Sequence, residues 1–255
     1  MTHEETKQDI LGKFRDVINT NLPEPIAGLF HTILSAIADS KAPASTSLKR
    51  GHGAFEDGLL FHSWRVFQVA NSLACGLVSH AGIVDLLTEG APPYTKLDAA
   101  GSIGQLDSLQ VASLLKVALL HDLNKLQDPL GRPYYVENLL KSGSRSTDKP
   151  WEISEASDVF AALDSQLKQY APQEAHNWWT GLLASGLITV REGLVGLAVA
   201  ESIAPGITIC LSDIEKQAII FHDGAYAGRT GLPTVEPLLM IVIHAADMIS
   251  SRYLC

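Results

Sequence analysis

The stretch LLKVALLHDLNKL, residues 114–126, decides how the chain is read. Its first seven residues are apolar except for Lys116, and apolar residues fall on every side of a helix drawn through them. His121 and Asp122 then follow Leu120 directly, and Lys125 comes three residues later. Ionisable groups so close to a core are costly unless something satisfies them. This segment therefore predicts a helix running on to about residue 126, with a polar site beside its apolar run.

The same pairing of an apolar run with a histidine recurs. GLLFHSWRV (58–66) carries His62, KQAIIFHDGAY (216–226) carries His222 and Asp223, and LLMIVIHAADMIS (238–250) carries His244 and Asp247. A lone histidine of this kind is more often a satisfied core residue than a ligand. Four of them point several imidazoles and carboxylates at one interior. One divalent first-row cation satisfies such a set together, since neutral imidazole and carboxylate are ordinary ligands for it. Neighbouring His121 and Asp122 would splay by about 100° on a helix. The remaining ligands must then come from other helices, as bundle metal sites allow.

Around this segment, helical spacing dominates. Ile10, Leu11, Phe14, Val17 and Ile18 form a stripe over 5–20, and Pro23 and Pro25 separate it from a second helix at 25–39. A third helix is expected over 58–80. Residues 90–107 read as a loop, with Asp107 or Ser108 capping the helix that follows. Residues 128–154 are irregular, with short strands around YYVEN and WEI, so a small two-stranded flap is expected near 132–154. Two or three helices fill 155–202. Ser212 or Asp213 caps another that runs to about His222, a loop follows, and a last helix covers 235–254. The fold class is all-α, with residues 1–50 as N-terminal helices packing on a 51–255 domain.

Composition narrows the function. The chain has 255 residues, 46% hydrophobic, with a formal net charge of −9. It has no basic excess for a broad nucleic-acid face, so extended nucleic acid is not an expected partner. Cys75, Cys210 and Cys255 form no CxxC pair, and Cys75 and Cys210 sit in apolar surroundings as buried thiols, which suits a reducing cytoplasm. The most membrane-like stretch, PLLMIVIHAADMI, is too short to span a bilayer and carries His and Asp. GLVGLA (193–198) is not followed by GK[ST], and no GxSxG elbow occurs.

Taken together, His62, the His121–Asp122 doublet and Asp247 resemble the H…HD…D signature of the HD-domain metal-dependent phosphohydrolases. GLLFHSWRV resembles that family's first motif, LLHDLNK its second in the HDxxK form, and PLLMIVIHAADMISSR its final helix. The resemblance covers roughly residues 50–254. It implies an HD-domain-like helical bundle in which His62, His121, Asp122 and Asp247 hold one divalent metal (Mn, Mg, Co, Ni, Fe or Zn). It also places Lys125 where many members contact phosphate. Members with glutamate there use it in catalysis, and this chain departs from them. His222 stands where two-metal members supply a further ligand. Residues 123–221 hold only one other histidine, His176, so one metal is expected, with His222 and His244 lining the pocket.

The expected activity is hydrolysis of a nucleotide or related phosphate ester by a metal-activated water. Asp122, Lys125 and Arg65 are the candidate catalytic groups, and Lys125, Arg65, His222, His244 and Tyr226 the candidate substrate contacts. Arg65 serves equally well as a surface ion pair, and Lys125 as a charge at a helix C-terminus. His52, in its glycine-flanked loop, is a further candidate contact, and Arg132, Tyr134 and Tyr135 a candidate lid. Trp178 and Trp179 read as core or interface. The alternatives are a non-catalytic nucleotide- or protein-binding module with a structural metal, and a single-strand nuclease. The apolar helices at 155–202 offer a surface for a homo-oligomer.

Overall fold

A computed structural model describes residues 3–45, 53–81, 106, 108–128, 131–140, 142–154, 188–222 and 238–253. These form seven α-helices and one two-stranded antiparallel sheet: α1 (His3–Asn21), α2 (Glu24–Ser40), α3 (Gly58–Ala81), α4 (Ser108–Leu120), β1 (Tyr135–Glu137), β2 (Trp151–Ile153), α5 (Ile188–Ile203), α6 (Asp213–Ile220) and α7 (Leu238–Tyr253). Tyr135 pairs with Ile153, Val136 with Glu152 and Glu137 with Trp151, which gives the hairpin expected near 132–154.

Helix α4 occupies the middle. Leu114, Leu115, Val117, Ala118, Leu119 and Leu120 are all buried, and the helix packs against α1, α3, α6 and α7. Phe14 of α1 and Phe30 of α2 are fully buried in the same core as Leu60 of α3 and Ile243 of α7. No helix among the described residues is long and apolar enough to cross a membrane.

Two boundaries differ from the sequence reading. The α-helix ends at Leu120 rather than near 126. His121 and Asp122 form a turn, and Leu123–Lys125 tighten into a 3₁₀ turn. The i→i+3 bonds Lys125 N–H to Asp122 O (2.9 Å) and Leu126 N–H to Leu123 O (3.1 Å) replace the α-helical ladder there. Asp122 itself lies at φ −110°, ψ 16°, a helix exit that suits a residue with poor helix propensity. Helix α6 likewise stops at Ile220, short of His222. At its start Ser212 is the cap: its hydroxyl accepts from Glu215 N–H while the Glu215 carboxylate accepts from Ser212 N–H. Cys75 and Cys210 are half-buried, not buried, and Cys210 Sγ donates to Gly206 O at 3.5 Å.

The entry to α3 places His62. Ala44 N–H bonds Gly53 O (2.8 Å), and Leu59 N–H bonds Ala42 O (3.0 Å). A Cβ at Gly58 would meet the Gly53 carbonyl oxygen at 1.8 Å, so only glycine fits where the loop doubles back. Asp57 sits at φ 65° and is held by Lys7 Nζ on Oδ1 at 2.8 Å, with His3 Nε2 3.0 Å from Oδ2. Lys7 Nζ also donates to Ala38 O at 2.8 Å. This buried pair fastens α1 to the head of α3, one turn before His62.

Candidate metal centre

Three elements bring ionisable groups to one point: the first turns of α3 (His62), the turn after α4 (His121, Asp122), and the turn after α6 (His222). Helix α7 adds Asp247. One ligand atom each from His62, His121 and Asp122 lies within 4.8 Å of the others, all three residues are buried, and together they could hold a metal ion. His62 Nε2 is 3.2 Å from His121 Nε2, 3.3 Å from Asp122 Oδ2 and 3.0 Å from Asp247 Oδ1. His121 Nε2 is 3.4 Å from Asp122 Oδ2. His222 Nε2 approaches the other carboxylate oxygen, Asp122 Oδ1, at 3.5 Å.

The backbone sets the tautomers. His121 Nδ1–H donates to Ala118 O at 2.9 Å, and His222 Nδ1–H donates to Ile219 O at 2.8 Å. In the neutral imidazole the opposite nitrogen then carries the lone pair. Both Nε2 atoms therefore present lone pairs toward a carboxylate. Orientation by backbone carbonyls of this kind is the arrangement found behind metal-bound histidines. The helix ends explain it: Ala118 O and Ile219 O are among the last carbonyls of α4 and α6, which lack helical partners.

Charge at the cluster follows from burial and these distances. Burial pushes the His121 imidazole down to about 4, so it is neutral. Burial also opposes a charge on His62, but hydrogen bonds to Asp122 and Asp247 outweigh it and raise His62 above its ordinary value. Asp122 is disfavoured by burial, yet Lys125 and then His121 hold its carboxyl well below the usual range. Asp247 is likewise held low against burial, chiefly by its hydrogen bond to His62. Two carboxylates beside one ammonium leave one positive charge to be supplied at His62 Nε2, which faces Asp122 Oδ2 and Asp247 Oδ1. A proton on His62 meets the demand minimally, and a divalent cation meets it with every donor engaged.

The other sequence candidates distribute around this point. Lys125 Nζ donates to Asp122 Oδ2 at 2.5 Å, and the pair keeps its ammonium protonated against burial. Ser251 Oγ donates to Asp247 Oδ1 at 3.1 Å. His244 Nδ1–H donates to His222 O at 2.7 Å, so it braces the His222 backbone. Arg65 is half-buried on α3 and takes no part in this network. Arg132 is tied to Asp128 at the base of the hairpin (2.5 Å). Tyr226, Asp223, His52, His176, Trp178, Trp179, Asp107 and Cys255 lie outside the described residues, as do residues 155–187 and the loop after His222.

Sequence reasoning treated Tyr134 and Tyr135 as an ordinary hairpin pair first and a lid second. Both phenols in fact feel the charge of Lys125, and burial pushes Tyr135 up to about 12. Their place in the first strand-like segment after the doublet and Lys125 was the available signal. No family model, curated protein or solved structure matches the chain.

Proposed function

We propose that this chain is a metal-dependent phosphohydrolase of the HD-domain kind, acting on a nucleotide or related phosphate ester with one divalent cation. The observation that carries the reading is the convergence of two imidazole Nε2 atoms and the Asp122 carboxylate within 4.8 Å of one another, with Asp247 3.0 Å from His62 Nε2 and His121 locked by a backbone carbonyl into the tautomer a cation needs. The donor set fits: mixed imidazole and carboxylate suit a first-row divalent ion, and no thiolate competes. His62, His121, Asp122 and Asp247 would hold it.

Bound there, a divalent cation supplies polarisation of a phosphoryl oxygen and makes a nearby water acidic at neutral pH. The protein supplies the rest. Lys125 offers positive charge to the phosphoryl oxygens as negative charge grows on them. Asp122, held low by its neighbours, is a weak base. His222 presents an Nε2 lone pair 3.5 Å from Asp122 Oδ1 and is better suited to take the proton of the attacking water. Water oxygen bonds to phosphorus as the ester P–O bond breaks, and the leaving oxygen is reprotonated from solvent.

One observation favours the second reading, a non-catalytic module with a structural metal: the Lys125 ammonium is already engaged with Asp122. Elemental analysis of purified protein, a nucleotide panel with Mn²⁺, Co²⁺, Ni²⁺ and Mg²⁺, and a chelator separate the two. Turnover lost to chelator with the fold retained, and lost again in His121→Ala, supports the hydrolase. Stoichiometric metal without turnover, with unfolding on chelation, supports the structural site. Absence of metal binding sinks both.

A further inference from the structure

The paired tyrosines of the hairpin are anchored unequally. Tyr134 donates its hydroxyl to Glu192 Oε1 of α5 at 3.0 Å, a bond to a charged acceptor. Tyr135 points its hydroxyl at Ala44 O, in the loop before α3, at 3.4 Å. That is long for an O–H···O bond, whose usual length is about 2.7–2.8 Å. The two rings pack edge to face with centroids 4.8 Å apart, so the firm anchor of Tyr134 fixes where the Tyr135 ring stands. The antiparallel bridge between Gln127 and Pro133 sets the start of the hairpin against the turn that carries Lys125, and the hydroxyl of Tyr135 lies in the field of both Lys125 and Asp122.

Resting on the phosphohydrolase reading, we propose that Tyr135 is a substrate contact, its O–H leaving the Ala44 carbonyl to donate to a non-bridging oxygen of the substrate's phosphoryl group beside Lys125.

Three observations converge on it. Lys125 alone is a poor phosphate clamp, because Asp122 shares its charge at 2.5 Å. Arg65, the other cation considered for this role, takes no part in the network, so a second donor must come from elsewhere. Exchanging a 3.4 Å bond to a neutral carbonyl for a short bond to a phosphoryl oxygen is favourable, since bonds to ionised acceptors are about twice as strong as neutral ones. With the ring held in place by Tyr134, the exchange needs only a turn of the Tyr135 hydroxyl away from the Ala44 carbonyl. A phenol also suits the place electrostatically. It adds a donor without adding a second cation to the centre.

The test compares wild type with Tyr135→Phe, both loaded with Mn²⁺, using inorganic phosphate as the probe. Phosphate affinity is read by calorimetry, and KM and kcat on any ester the wild type cleaves. The ring is retained and only the long Ala44 bond is lost, so the melting temperature should stay within a degree or two of wild type. Phosphate affinity should fall roughly ten- to a hundredfold, the range for a hydrogen bond to a charged group. Unchanged phosphate affinity in Tyr135→Phe, with phosphate bound by the wild type, overturns the contact and leaves the hydrolase reading intact. A wild type that binds metal but neither phosphate nor ester overturns both. A parallel fall in melting temperature and phosphate affinity assigns Tyr135 to holding the hairpin and likewise overturns the contact; Tyr135→Leu, which loses the ring too, calibrates that structural effect.

Discussion

Gly193 and Gly196 sit one turn apart on α5 and should respond oppositely to alanine. A Cβ at Gly193 would lie 2.6 Å from Ile220 Cα and 2.9 Å from the carbonyl oxygens of Ile219 and Ile220. These are backbone atoms at the end of α6 and cannot swing aside as a side chain would. Helices α5 and α6 would have to separate by about an ångström. Overpacking of this sort costs about 1–3 kcal/mol, and a rigid backbone neighbour puts Gly193→Ala near the top of that range. Alanine returns roughly 0.5–1 kcal/mol through better helix propensity. The net loss is about 2 kcal/mol, or roughly 4–8 °C in melting temperature for a chain of this size. At Gly196 the nearest atom, Leu120 O, is 3.4 Å away, an ordinary contact. Gly196→Ala should therefore be neutral or slightly stabilising. Thermal melts and urea titrations of both variants measure the difference. Because the Ile219 carbonyl also holds His222 Nδ1, Gly193→Ala should weaken metal binding as well. Equal stability of the two variants would refute the close approach of α5 to α6.

Lys7→Met should cost about 3–5 kcal/mol in denaturant unfolding, because it strands the buried Asp57 carboxylate; a loss under 1 kcal/mol would show that solvent reaches the pair. Metal-free protein should weaken on acidification. His121 is held near 4 when folded and rises to its ordinary 6.5 when unfolded, so the unfolded chain takes up the extra proton and stability drains as pH falls from above 6.5 toward 4, by up to about 3 kcal/mol. His62, raised on folding, works in the opposite sense: its contribution is complete below 6.5 and is lost as pH climbs through its folded value. His121→Gln should flatten the acid-side slope, and an unchanged slope would mean that His121 is charged in the native protein. Lys125→Met should lower kcat/KM for a phosphate ester by roughly 10²–10³, while wild-type turnover in that variant would remove Lys125 from the chemistry.

The helical elements around the site were legible because they obey one rule: apolar positions recur at helical spacing until a charged residue must be placed. That pattern singled out His62, His121 and Asp122, which the structure brings together, and Asp247, which it places beside His62. It did not show that the α-helix stops at Leu120, because His121 still follows the apolar run without a proline or glycine to mark the change. The exit shows only in the backbone, where i→i+3 bonds take over from Asp122 onward. Lys7 and Asp57 gave no signal either. Each is an ordinary surface residue type, and their pairing across fifty positions exists only in three dimensions. Gly193 was read only as part of a sequence lacking a phosphate-binding loop, since the backbone it touches lies on another helix. The half-buried state of Cys75 and Cys210 was missed for a similar reason: apolar neighbours in sequence do not say which way a side chain is turned.

His62 and His121 meet across a sequence separation of 59, and Asp247 arrives from much further along the chain. Closing loops of that size is slow, because their entropy must be spent before any contact rewards it. The cluster therefore belongs to the last stage of folding rather than to its nucleus. Capture of a cation would leave the rate of refolding almost untouched and act instead as a brake on coming apart.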